Sequence, residues 1–281
     1  LASLEPKVRF AAIALGRFGG SELSYASDLD VIFVFEGSGA DVTEADRVAT
    51  SLVRFVGGRT PAERIYDIDA DLRPEGRQGP FARSLEAFRA YWDRYALVWE
   101  RQAMIRARPV AGDLGLGAQL LDELRDRVWG EGLTAEDVRE IRRIKARVER
   151  ERIPAGEDPA FHLKLGRGSL SDVEFTAQLL QLQHGVRATG TVEALERLVA
   201  CDALDPDDAD TLVDAYRFCE RTRNRWYLVN SGPGDSLPSQ PNELLWLARS
   251  LGVTPTELRE QYRRVTRRAR RVVERVFYGQ E

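Results

Sequence analysis

The chain has 281 residues, of which 41 are lysine or arginine and 45 aspartate or glutamate, for a formal net charge of −4. Hydrophobic side chains make up 43% and charged ones 31%, a balance that suits one large or two small folded domains able to bury a core without disulfide or metal staples. The near-even charge argues against a general nucleic-acid binder, and no apolar run approaches the ~20 residues that a membrane-spanning helix needs.

The opening LASLEP has neither a basic n-region nor an apolar h-region, so no signal peptide is expected; the absent initiator Met suggests a piece of a longer chain. Residues 8–15 (VRFAAIAL) form a β-rich apolar run closed by Gly16. Residues 29–35 (LDVIFVF) carry the strongest strand signal, apolar on both faces after Asp30 and therefore central in a sheet. A helix is predicted over 43–56, capped by Thr43 with Asp46 at N3, striped by Ala45, Val48, Ala49, Leu52 and Val56, and ended by Gly57-Gly58. Residues 65–72 (IYDIDADL) alternate as a strand does, with Asp67, Asp69 and Asp71 on one face, and Pro74 stops it. One long helix is predicted over 84–107, with Leu85, Phe88, Trp92, Tyr95 and Trp99 on its buried stripe.

Beyond residue 113 only helical periodicity remains. Val138, Ile141, Ile144 and Val148 stripe a basic segment; 171–184 reads as a helix with Ser171 and Glu174 as a capping box and Gly185 as its stop. Leu258, Tyr262, Val265, Ala269, Val272 and Val276 form a heptad-like seam. The expected fold is α+β: a small mixed-sheet domain over 1–113, then an all-α bundle over 114–281. Cys201 and Cys219 make no disulfide framework, which fits a reduced, cytoplasmic setting. The five tryptophans read as core, and His162 and His184 are too far apart in sequence to suggest a metal pair. Only Lys7, Lys145 and Lys164 are lysines, which leaves 38 arginines; guanidinium forks suit phosphate and carboxylate, and an arginine-rich genome explains the count equally well.

The segment GGSELSYASDLD, residues 19–30, bears the most chemistry. Asp28 and Asp30 are two apart at the head of an apolar strand, so both carboxylates leave one face. Unpaired, they would be costly to bury; Mg²⁺, commonly held by one or two carboxylates with substrate phosphates completing its shell, answers that charge. A pair of metals would require a third carboxylate, and the Asp67/Asp69/Asp71 face offers three. Gly19-Gly20 would let backbone N–H groups approach phosphate oxygens.

This constellation resembles the nucleotidyltransferase superfamily that includes DNA polymerase β. Five longer stretches (GRFGGSELSYASDLDVIFVF, YDIDADLRPEGRQGP, VWERQAMIRARPVAGD, VREIRRIKARVERERIP and LKLGRGSLSDVEFTAQLLQLQHG) resemble the glutamine synthetase adenylyltransferase/adenylyl-removing enzymes, in order along essentially the whole chain. That family carries two nucleotidyltransferase halves, one adding AMP to a tyrosine of glutamine synthetase and one removing it by phosphorolysis. DADLRP at 69–74, LSDVE at 170–174 and the VFYG ending look more like the adding half.

The resemblance implies Asp28, Asp30 and Asp69 as metal ligands and catalytic carboxylates, with Asp69 as ligand or proton acceptor. It implies Gly19, Gly20, Ser27 and Lys164 as nucleotide contacts, two Mg²⁺ ions, and ATP as substrate with pyrophosphate leaving. Glutamine synthetase would be the protein substrate, with a PII-type signalling protein and glutamine as regulators, acting in part through the other half. Neither nucleic acid nor membrane is expected as a partner. Arg73, Glu100, Arg106 and Arg108 also match family positions, with structural salt bridging as their plainer reading. The family commonly has Gly where Ser169 stands, a strained position for Ser if it requires positive φ. A phosphorolytic removing half and a non-catalytic sensing module are the competing readings.

Overall fold

The computed structural model describes residues 7–280 other than Ala26, Pro61, Glu131 and Ala155; the reading of LASLEP falls outside them. Two compact units divide the chain: Leu1–Leu23 with Ser27–Glu131, and Ser24–Ala26 with Gly132–Glu281.

In the first unit, β1 (Arg9–Ala14) leads through a one-turn helix α1 (Gly16–Gly19) to β2 (Leu29–Glu36), its antiparallel partner. Helix α2 (Ala40–Gly57) follows, then β3 (Ile68–Asp69), β4 (Ala82–Ser84), α3 (Leu85–Arg94), α4 (Val98–Met104), β5 (Arg108–Gly112), α5 (Leu114–Glu123) and α6 (Arg125–Trp129). The sheet runs β3-β2-β1-β5, and β4 also pairs with β2; β3 and β4 run parallel to β2. β2 is central as its two apolar faces predict. Val31, Phe33 and Phe35 meet Ala45, Val48 and Ala49 of α2 in one core cluster. On the opposite face Ile32 shares a small cavity with Phe88, Trp92 and Met104.

Several local expectations fail for identifiable reasons. α2 begins at Ala40 after Gly39, while Asp41 accepts from the Ser38 N–H; Thr43 lies inside the helix, and Asp46 accepts from Ala82 N of β4 (3.0 Å). The strand expected over 65–72 shrinks to two residues because the Asp69 carboxylate takes the Asp71 N–H (2.7 Å), turning the chain away from the ladder. The long helix breaks into α3 and α4: Tyr95 is exposed, and Glu100 caps a new start by accepting from Leu97 N (2.8 Å). Strand β5 (Arg108–Gly112) then follows directly after the end of the predicted helix. The division expected at 113 falls just ahead of α5, whose Gly117 packs against Ile13 and Pro109, so α5 and α6 sit with the sheet.

The second unit is helical: α7 (Ala135–Glu151), α8 (Leu170–His184), α9 (Thr191–Ala200), α10 (Pro206–Asn230), α11 (Pro241–Ser250) and α12 (Pro255–Val276). The seam of α12 is buried at Leu258, Tyr262, Ala269 and Val272, as its spacing predicts, while Val265 and Val276 are half-buried and Thr266 and Val273 are buried beside it. The capping box at 171–174 is absent. α8 starts at Leu170, the Ser171 hydroxyl is buried with no hydrogen-bond partner among the described residues, and Asp172 instead accepts from Gly168 N (2.6 Å). Ser169 has φ −94°, so it is unstrained; the positive φ falls on Gly168 (+73°). Trp92 and Trp226 are buried, but Trp246 is 55% exposed. Both cysteines are free. Among the described residues no helix is long and apolar enough to cross a membrane.

Candidate active site

At one end of the sheet the start of β2 lies beside the end of β1 and the start of β3, and Leu15 N donates to Asp30 O (2.9 Å). The register aligns Leu29 with Ile68 and Asp30 with Asp69. Two carboxylates on one face of neighbouring parallel strands are thereby set side by side, about 4.8 Å apart at the backbone. Asp28 is one strand repeat upstream of Asp30 and exposed; Asp30 and Asp69 are half-buried. Asp28 takes no hydrogen bond or ion pair among the described residues, and Asp69 accepts only from Asp71 N there.

Their acidic neighbours are differently placed. Asp67 pairs with Arg64 (2.9 Å) and Asp71 with Arg77 (2.6 Å). Of the three aspartates on the alternating face, the outer two are thus paired locally, and Asp69 stands abreast of Asp30. No three His, Cys, Asp or Glu side chains among the described residues form a ready-made metal cage. Hard carboxylate oxygens in an incomplete shell suit Mg²⁺, which keeps waters and takes phosphate oxygens to finish its octahedron.

The glycine turn works differently from its expected role. Gly19 N donates to Leu15 O (2.6 Å) and Gly20 N to Gly16 O (3.1 Å), so both amides are spent within the turn rather than presented to a ligand. What Gly19 supplies is room: a Cβ there would stand 2.0 Å from Arg106 O and 2.8 Å from Ala14 O. Gly16, not singled out from sequence, is tighter against the acids. It has φ +49°, and a Cβ would meet Asp30 Oδ2 at 2.1 Å. The isolated glycine ahead of a short turn was the available signal.

The basic residues near this turn are structural braces. Arg108 donates to Phe18 O (3.0 Å) and Gly19 O (3.2 Å), and buried Arg106 pairs with Glu22 (3.3 Å). Arg73 donates to Ala70 O (2.8 Å) and Gly79 O. Burial raises the Glu100 carboxyl above the ordinary range, against the hydrogen bonds from Leu97 N and the Tyr91 hydroxyl. Ser27 is half-buried next to Asp28.

Lys164 belongs to the helical unit and is half-buried. Burial alone would raise the nearby Asp235 carboxyl; the Arg223 guanidinium hydrogen-bonded to it, with Lys164 and His162 beyond, holds it below the usual range. Arg223 also donates to the Ser24 hydroxyl, four residues ahead of Asp28 in sequence. The glycines after Lys164 are close-packing positions. A Cβ at Gly168 would lie 1.9 Å from Thr266 O of α12, and one at Gly166 2.4 Å from His162 O. Sequence reasoning missed the best-buried ion pair: Lys145 Nζ lies 2.5 Å from Asp172, and both side chains are at most 1% exposed.

A mixed sheet that sets aspartates abreast at its strand starts, beside a close-packed glycine turn, defines an α+β domain of the nucleotidyltransferase type. Residues 2–123 match the family model described as glutamate-ammonia ligase adenylyltransferase, and residues 139–279 match one described as GlnD PII-uridylyltransferase. Among curated relatives, the chain is 49% identical over 285 residues to a bifunctional glutamine synthetase adenylyltransferase/adenylyl-removing enzyme of Streptomyces avermitilis, 96% of this chain and 28% of that protein being covered. It is 44% identical to the protein of that name from Leifsonia xyli subsp. xyli (97% and 28% covered) and 43% to that of Mycobacterium bovis (95% and 28%). The chain belongs to the glutamine synthetase adenylyltransferase/adenylyl-removing family, and it spans about 28% of the length of these relatives.

Proposed function

We propose that this chain transfers AMP from ATP to a tyrosine hydroxyl of glutamine synthetase, with release of pyrophosphate. The observation that carries the reading is the register of β2 and β3, which pairs Asp30 with Asp69, and Asp28 stands just ahead of β2. Asp28, Asp30 and Asp69 are the residues to hold Mg²⁺, which when bound supplies positive charge for the attacking and leaving oxygens. The tyrosine oxygen forms the new bond to the α-phosphorus as the bond to pyrophosphate breaks. The tyrosine proton passes to Asp69 or to solvent, and the free oxygen of Asp69 left by the Asp71 contact is the acceptor on this chain. Arg108 and Gly19 keep the turn beside these acids in shape. Gly19, Gly20, Ser27 and Lys164 are the proposed nucleotide contacts, Gly19 and Gly20 through close approach rather than donated amides.

The DADLRP and LSDVE matches support the AMP-adding half over the removing half. A PII-type protein and glutamine are the proposed regulators, and a reduced cytoplasmic setting the proposed location. Incubating the chain with glutamine synthetase, Mg²⁺ and ATP labelled in its α-phosphate tests the reading. Label on the glutamine synthetase tyrosine is the expected result. Phosphate-dependent removal of the adenylyl group from modified substrate as ADP, without transfer from ATP, would assign the removing reaction instead.

A further inference from the structure

One cavity is lined wholly by residues of the helical unit. It encloses about 1590 Å³ between α7, α12 and the segment 159–167. Its wall carries six arginines, namely Arg150, Arg167, Arg263, Arg267, Arg270 and Arg271, against two glutamates, Glu149 and Glu274.

Those two acids are already committed. Glu149 serves Arg167 (3.2 Å) and Lys145 (3.4 Å), and Glu274 accepts from Arg270 (2.8 Å). Arg270 is in turn anchored on buried Asp172 (3.1 Å), which also holds Lys145, so the floor of the cavity is a fixed and internally balanced network. Arg150 has Glu151 beside it (2.8 Å). Arg263, Arg267 and Arg271 have no acidic partner among the described residues; Arg263 instead lies 5.0 Å from the centroid of the Phe161 ring.

These three sit at i, i+4 and i+8 on α12, one face of one helix, their backbone positions spaced about 6 Å per turn over roughly 12 Å. Like charges so aligned repel one another, and a concave wall of one sign focuses its field on the space it encloses. Guanidinium forks pair bidentately with phosphate oxygens. The rest of the wall is apolar at Ile153, Pro159 and Leu165, surface for an uncharged portion of a ligand. Three uncompensated forks beside an apolar wall, in a space larger than a bare anion fills, match a multiply charged phosphoanion with an organic portion.

We propose that this cavity is a binding site for an oligophosphate-bearing small molecule, gripped by Arg263, Arg267 and Arg271. The site stands on residues of the helical unit alone and does not rest on the AMP-transfer reading.

Inorganic tripolyphosphate is the probe, titrated calorimetrically into the whole chain without divalent ions. One-site binding that weakens at least tenfold in the Arg263→Ala/Arg267→Ala/Arg271→Ala variant is expected, with affinity falling as salt rises. The three side chains are exposed and unpaired with acids, so this variant should retain the wild-type unfolding midpoint. Arg271→Glu alone, a second variant, should also weaken binding. Lys164→Met, which alters a proposed nucleotide contact, should leave tripolyphosphate affinity within twofold. No binding to the wild-type chain, or binding unchanged in both arginine variants, would overturn the proposal. A tenfold loss in Lys164→Met with none in the arginine variants would overturn it as well, placing the phosphates at the other contact. Absence of labelled transfer by a wild-type chain that binds tripolyphosphate would count against the AMP-transfer reading only.

Discussion

Replacing Asp69 with Asn separates what the aspartate pair costs from what it does. Asp30 and Asp69 are abreast on parallel strands, so their charges lie about 5 Å apart. Two like charges at that distance repel by roughly 0.8 kcal/mol at the dielectric of water and about 3 kcal/mol at an effective value of 20. Both residues are half-buried, and solvent screening brings the expected figure toward the lower end, about 1 kcal/mol. Asn keeps the carbonyl oxygen that accepts from Asp71 N, so the turn closing β3 survives the change. Asp69→Asn should therefore raise stability without divalent ions by about 1 kcal/mol while lowering AMP transfer by about 10²–10⁴-fold, the range of a lost proton-transfer or charge-stabilising group. Urea unfolding in EDTA reads the first effect and transfer of α-labelled AMP the second. Added Mg²⁺ should stabilise the wild type more than the variant. Transfer at near the wild-type rate, or destabilisation by more than about 1 kcal/mol, would refute the pairing as the source of the site.

The helical unit yields three further expectations. Gly168→Ala forces a Cβ to 1.9 Å from Thr266 O at φ +73°, and overpacking with left-handed strain should cost about 3 kcal/mol or more in urea unfolding. Lys145→Met removes one of the two cations that face Asp172 at 0% side-chain exposure and leaves it to Arg270, so it should cost about 3 kcal/mol, the low end for a broken buried pair, with a Lys145→Met/Asp172→Asn double variant recovering part of the loss. His162 is driven below its ordinary range by burial, against the pull of Asp235 and Glu157, with Lys164 and Arg223 adding to the lowering. Its Nδ1 accepts from Lys164 N (3.2 Å) and Leu165 N (3.0 Å), contacts that only the neutral ring can make. The unfolded chain then binds the proton more readily, so stability should fall as pH drops below about 6.5, the value for the free side chain. His162→Asn should flatten that fall in unfolding midpoints measured from pH 7.5 to 5.

Much of the site was legible because its signals are local. The twofold repeat of a strand sets the expectation that Asp28 and Asp30 share a face, and an apolar run on both faces marks β2 as central before any partner is known. Asp69 was separable from Asp67 and Asp71 only through the family resemblance. In the structure the same choice comes from pairing, since Arg64 and Arg77 take the outer two and the β2–β3 register takes the middle one. The role of the glycines was misread from sequence. A Gly-Gly pair advertises freedom, but whether that freedom serves a ligand or a neighbouring carbonyl depends on where Ala14 and Arg106 come to lie.

Composition, periodicity and motif spacing by themselves determined an α+β chain with a strand-borne aspartate pair, a helical second half and the buried seam of α12. These depend on residues within a few positions of each other, where backbone geometry alone decides which side chains share a face. Tertiary structure alone decided the break between α3 and α4, the strand β5, the allegiance of α5 to the sheet and the burial of Lys145. The last three turn on partners distant in sequence, such as Asp172 for Lys145 or Ile13 for Gly117, and no periodicity records which distant surface a residue will meet. The arginine excess noted at the outset divides in the same way. Its abundance is visible in the sequence, but only the fold shows which guanidiniums are matched by acids and which three line one cavity without them.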